Sequence, residues 1–174
     1  MDADLRVNAL YLSSRLRSRL ADAARYPVTT IIAPTGYGKT TAAQYLQRRI
    51  AAEAPDAYLF RQFLSGGGRQ EFWAGLCRAL HTAPQLPAQL RALGYPDSPH
   101  TRQQLLDLVQ DALAGKPPVW FILDDVHLLS GGEAAELVSF LAERLPPQAH
   151  LILLSRNQIF SEAQKLRLGS RLLE

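Results

Sequence analysis

Residues 28–41 read VTTIIAPTGYGKTT, and this stretch decides the fold. Val28 to Ala33 is short, apolar and β-branched, with Pro27 and Pro34 at its ends, so it reads as a buried strand. Thr40 to Ala54 then has helical spacing, with Leu46 and Ile50 one turn apart and Pro55 as the stop. A strand running through a glycine-bearing turn into a helix is a phosphate-binding loop, here with Ala33 where the usual motif opens on Gly. Gly36 and Gly38 let backbone N–H groups turn inward around phosphate oxygens. The helix start aims its positive dipole end at the same point. Lys39 adds a point charge for the β- and γ-phosphates, and the Thr40 hydroxyl is a hard oxygen ligand suited to Mg²⁺. The nucleotide-binding residues expected from this loop are Thr35, Gly36, Tyr37, Gly38, Lys39, Thr40 and Thr41. The competing reading is an ordinary glycine turn.

Working outward, Tyr58 to Phe63 reads as a second strand, Val119 to Leu123 as a third and Leu151 to Leu154 as a fourth. The third and fourth are continuous apolar runs rather than alternating ones, the pattern of strands covered on both faces. Helical spacing fills the gaps: residues 12–25 with Leu12, Leu16 and Leu20 in line, 69–80 with Phe72, Leu76 and Leu80, 101–114, 133–145, and onward to about Leu168. Thr101 with Gln104 and Ser130 with Glu133 have the spacing of capping boxes. Residues 82–99 contain four prolines and little periodicity, so a loop is expected there. Leu172-Leu173 looks like the start of a fifth strand flanking the phosphate-loop strand. Strands alternating with helices demand a parallel sheet of about five strands with helices on both faces, an α/β P-loop NTPase fold.

Composition agrees. A chain of 174 residues is one domain long, and 47% hydrophobic against 20% charged residues excludes a disordered tail. The single cysteine, Cys77, excludes a disulfide framework and a cysteine zinc site, and reads as a core thiol. The first ten residues are charged and broken, unlike a signal peptide, and no apolar run reaches a membrane span, so a cytoplasmic setting without membrane contact is expected. The net charge of +3 comes from an Arg-dominated set with only Lys39, Lys116 and Lys165 as lysines, and no basic stripe points to nucleic acid. Arg15, Arg17, Arg19 and Arg25 of the first helix read as a solvated face.

Two further segments carry chemistry. Val119 to Leu123 ends in Asp124-Asp125, and acids at the end of a buried strand are costly unless they serve a cation or a water. Asp124 is expected to hold Mg²⁺ together with Thr40, and Asp125 to orient or deprotonate an attacking water; the alternative is a strand-to-helix turn capped by Asp. Ser155-Arg156-Asn157 ends the fourth strand, and Arg156 is read as reaching the γ-phosphate or the attacking water, or else as an ordinary polar loop start. The catalytic set is thus Lys39, Asp125 and Arg156. Leu64-Ser65-Gly66-Gly67 has the letters of a transporter ATPase signature in the wrong place, before a helix and a proline-rich stretch, and is expected to be a flexible loop. His127 reads as a structural histidine or a nucleotide sensor, and Trp73 as core or interface.

APTGYGKTT at 33–41, FILDDVHLL at 121–129 and LILLSRN at 151–157 together resemble the nucleotide-binding domain of MalT-type regulators. These are large ATP-binding LuxR-family transcriptional activators, among the signal-transduction ATPases with numerous domains. The resemblance covers nearly the whole chain. One departure is the loop from Leu64 to Arg69, where the family usually carries acidic residues. A second is the end at Glu174, where family members continue into further modules and a C-terminal helix-turn-helix. The expectation is therefore one P-loop domain over 1–174, an N-terminal fragment of a longer regulator or a stand-alone relative. The resemblance implies ATP/ADP and Mg²⁺ as cofactors and slow hydrolysis resetting a switch. It implies self-association or downstream domains of the same chain as partners, and DNA contact only through the absent helix-turn-helix. Two rival readings remain: a small-molecule phosphotransferase using Arg156 and Arg167, and an interaction module that binds nucleotide without hydrolysing it.

Overall fold

The computed structural model describes residues 12–79, 86–129, 132–160 and 169–174. Its five strands are β1 (Val28–Ile32), β2 (Tyr58–Phe63), β3 (Val119–Asp124), β4 (Ala149–Ser155) and β5 (Leu172–Leu173). They form one sheet in the order β2-β3-β4-β1-β5, and every pairing is parallel. The phosphate-loop strand β1 and the acid-bearing strand β3 are therefore not neighbours. β4 lies between them, with Val28 opposite Leu151 on one side and Phe121 opposite the same Leu151 on the other.

The helices are α1 (Ser14–Ala21), α2 (Lys39–Glu53), α3 (Gly68–Ala79), α4 (Leu86–Leu93), α5 (Pro99–Leu113) and α6 (Glu133–Arg144). Period-two alternation splits the apolar strands between two cores. Val119, Phe121, Leu123, Leu151 and Leu153 pack under α3, α4, α5 and α6 with Phe72, Leu90, Leu105 and Leu137. Trp120, Ile122, Ile152 and Leu154 pack with Leu20, Ala43, Leu46 and Ile50 of α1 and α2 on the opposite face. All six residues of β3 are buried, as a strand covered on both faces requires.

Several local expectations change. The proline-bearing stretch holds a helix, α4, with Leu86 and Leu90 fully buried one turn apart. Pro87 is its second residue, in the first turn, where a missing N–H costs nothing. α5 starts earlier than Thr101: Ser98 is the N-cap, Pro99 follows at the first helical position, and Thr101 is the far partner of the capping box. α6 is preceded by Gly132, which gives no side-chain cap; Ser130 lies outside the described residues. Leu16 is 36% exposed although it lies one turn from buried Leu20, and the α1 arginines are exposed. The helix-like sequence at 161–168, with Arg167, also lies outside the described residues. Leu172 and Leu173 do pair with Val28 and Thr29, so the expected fifth strand flanks β1 over those two positions.

Candidate functional site

The carboxyl ends of β1, β3 and β4 open on one polar cleft of about 390 Å³. Thr35, Gly36, Gly38, Lys39, Thr40 and Thr41 line it from the β1–α2 turn, Asp124 and Asp125 from β3, Arg156 from β4 and Phe63 from β2. Four chain segments thus meet in one place. The placement follows from topology, because in an open parallel sheet the crevice lies at the carboxyl ends of the strands.

The β1–α2 turn has the backbone that its glycines allow. Gly36 and Gly38 have φ of +84° and +80°, conformations that side-chain-bearing residues rarely adopt. Gly38 is also the residue preceding α2, so the helix N-terminus is presented straight to the cleft. Lys39 Nζ donates to the carbonyls of Ala33, at 2.6 Å, and Pro34, at 2.9 Å, which holds its ammonium over the turn. Tyr37 is 77% exposed and, unlike the rest of the expected loop set, is not among the cleft-lining residues.

Asp124 and Asp125 differ although they are adjacent. Asp124 is buried, and both carboxylate oxygens accept hydrogen bonds: Oδ2 from Arg61 Nη2 at 2.6 Å and Oδ1 from the Asp125 N–H at 3.0 Å. Asp125 has φ of 58°, the left-handed region, and its side chain is 37% exposed on the cleft. A non-glycine residue held there marks a place where surrounding structure fixes the backbone. His127 Nδ1 lies 3.7 Å from Asp125 Oδ1, on the short 3₁₀ turn Val126–Leu129. Arg156 is exposed and lines the cleft, directly after buried Ser155. Ser155 itself ties β4 to its neighbours: its carbonyl accepts from Ala33 N–H and its Oγ from Asn157 N–H.

Thr40, Asp124 and Asp125 are hard oxygen donors on one cleft, and no group of three or more His, Cys, Asp or Glu side chains poised for a metal occurs among the described residues. That donor set fits Mg²⁺, which takes one or two carboxylates and fills its shell with water and phosphate oxygens.

Two cleft features escape a reading of local sequence. Arg61 and Phe63 become site neighbours only through the β2–β3 register, which sets Phe63 opposite Asp124. The Arg61 guanidinium lies 4.6 Å from the centroid of the Phe63 ring. The nearby loop at 64–68 is also more ordered than its glycines suggest. Glu71 accepts from Ser65 Oγ, Ser65 N–H and Gly67 N–H, and these bonds, the Ser65 hydroxyl foremost, hold its carboxyl below the usual range. Trp73 and Cys77 pack against the core, Trp73 edge-on to Tyr95, and burial pushes the Cys77 thiol up.

A phosphate-binding turn after one parallel strand and an acid pair after another, with a third strand between them, define a P-loop nucleotide-binding domain. The chain belongs to the AAA domain family, whose profile matches residues 24–155. It is 28% identical over 175 residues to the HTH-type transcriptional regulator MalT of Serratia proteamaculans, an alignment covering 98% of this chain and 19% of that protein. MalT of Klebsiella pneumoniae subsp. pneumoniae is 26% identical and MalT of Yersinia pestis 27%, with the same coverage. The chain thus spans about a fifth of the length of the curated relatives it matches. Among solved structures it resembles C. elegans PCH-2 with a TM-score of 0.42 and 13% identity, over 92% of this chain and 41% of that one. No helix among the described residues is long and apolar enough to cross a membrane.

Proposed function

We propose that this chain is the ATP/ADP-binding switch domain of a transcriptional regulator, taking nucleotide with Mg²⁺ and hydrolysing ATP slowly. The observation that carries the reading is the convergence of Lys39, Thr40, Asp124, Asp125 and Arg156, drawn from three separate strand ends, on one cleft. The regulatory part rests on the likeness to MalT, a transcriptional regulator by name. Sensing, DNA binding and self-association belong in this proposal to a whole regulator of the MalT kind, and the chain covers 19% of the MalT it matches.

Each residue has a task. The backbone N–H groups of residues 36–41 and the α2 N-terminus cradle the phosphates. Lys39 exchanges the Ala33 and Pro34 carbonyls for phosphate oxygens, a small movement for a long side chain. Thr40 and Asp124 would hold Mg²⁺, which would supply neutralisation of phosphate charge. Asp125, exposed on the cleft beside His127, orients water toward the γ-phosphorus and takes its proton. Arg156 offsets charge on the transferred phosphoryl group. Lys39 and Arg156 are the cations lining the cleft, a sparse set of donors for the transition state, and this supports a slow reaction.

A steady-state ATPase assay on the 174-residue chain tests the reading. Weak nucleotide binding, micromolar or poorer, with turnover far below ~10 s⁻¹ is expected, whereas turnover near that value contradicts a slow switch.

A further inference from the structure

Asp124 lines the cleft, but the group bonded to it at the shortest distance, Arg61, is not among the cleft-lining residues. Arg61 on β2 is 11% exposed and Asp124 6%, and their 2.6 Å contact is a buried ion pair. The rest of the guanidinium is poorly served. Its Nη1 reaches Gln47 Oε1 on α2 at 3.4 Å, its face lies over Phe63, and its Nε is buried without a partner among the described residues. A buried cation with an unpaired N–H is expensive for mere packing, since an apolar residue of similar volume avoids that cost. What Arg61 does supply is a positive charge fixed against the carboxylate that is otherwise left for a divalent cation.

We propose that Arg61 is a resident counter-charge to Asp124 which makes nucleotide binding only weakly dependent on Mg²⁺. The inference rests on the nucleotide-binding reading of the cleft. The charges are those of Lys39, Arg61 and Arg156 against Asp124 and Asp125, three against two, so a metal-free polyphosphate meets a net positive site. With Asp124 already paired, a divalent cation gains less Coulomb attraction from it. Without Arg61, Asp124 is an uncompensated carboxylate beside the phosphates, and the cation becomes necessary to offset the repulsion. Arg61 thus acts on the phosphates by the field of its charge, which offsets that of Asp124, rather than as a catalytic group. Gln47 carries the link to α2, so the same guanidinium joins the acid strand to the phosphate-loop helix.

The test is the ratio of affinities for a fluorescent N-methylanthraniloyl ADP measured in MgCl₂ and in EDTA, on wild type, Arg61→Gln and Arg61→Lys. The ratio is expected to be small in wild type, to rise by at least about tenfold in Arg61→Gln and to fall back in Arg61→Lys, which restores the charge. Equal ratios in all three proteins overturn the proposal. Absence of binding by wild type in both buffers overturns the nucleotide reading, and this inference with it. Should thermal melts show Arg61→Gln unfolded, the comparison moves to Asp124→Asn against Asp124→Asn/Arg61→Gln, neither of which buries a lone carboxylate. The single variant is then expected to bind the EDTA-treated nucleotide more tightly than the double one, and equal affinities overturn the proposal.

Discussion

Adjacent aspartates given opposite surroundings can divide the work between them. Asp124 is buried and bonded through both oxygens, so it holds charge in place. Asp125 is on the cleft, in a left-handed conformation, with His127 nearby, so it is the one to which the proposed reaction assigns the water. Asp125→Asn is therefore expected to keep ATP affinity within a few-fold while slowing hydrolysis by about 10²-fold or more; single-turnover assays measure both, and unchanged turnover removes Asp125 from the chemistry. These residues are legible in sequence because their chemistry is local: GYGKTT needs its glycines and lysine at fixed spacing, and two acids ending an apolar strand demand an explanation. Arg61 is not legible. An arginine in a strand is an ordinary surface residue until register sets β2 beside β3, and no local pattern states that pairing. Tyr37 marks a different limit: the motif places its backbone in the loop, but does not fix which way its side chain points, and that side chain is exposed.

Elements were legible where periodicity ran uninterrupted, and least so where proline obscured it. α4 is the clearest example. Leu86, Leu90 and Leu93 have helical spacing, but four prolines over 82–99 argue for a loop, and Pro87 falls where a helix accepts it. Burial decides the outcome, because Leu86 and Leu90 join the core formed by α3, α5 and α6. Leu90→Ala is expected to cost about 2–5 kcal/mol in chemical denaturation, as for other fully buried leucines. A loss under about 0.5 kcal/mol, the size of a surface change, contradicts the packing of α4. The start of α5 was displaced for a related reason. Ser98 caps the helix, and Thr101, which looks like a cap, returns its hydroxyl to the Ser98 backbone N–H. Ser98→Ala is expected to cost about 1 kcal/mol in the same assay.

At the scale of the molecule, the alternation of strands and helices foretells a parallel sheet but not its order. That β4 enters between β1 and β3 is what brings Arg156 onto the cleft with Lys39 and Asp125. The same order sets Trp120 opposite His150, and their rings stack 4.0 Å apart at 11°. His150 Nδ1–H donates to the Tyr26 carbonyl, while burial, the larger effect, pushes the imidazole below its ordinary value. The unfolded chain therefore binds this proton first as pH falls. The stability His150 contributes is complete above the ordinary value of 6.5 and is lost as pH falls through the lowered folded value. His150→Phe keeps a ring against Trp120 and removes the proton. Its urea midpoints should fall less than those of wild type between about pH 7.5 and pH 5, and parallel curves contradict this role. The central claim, that the whole fold serves to hold a phosphate-binding cleft, is tested most directly by calorimetric titration of ATP with MgCl₂ into wild type and Lys39→Ala. Lys39 contacts the Ala33 and Pro34 carbonyls rather than either hydrophobic core, so both proteins should melt alike. The account predicts saturable binding by wild type and none by Lys39→Ala; equal affinity in the two proteins contradicts it.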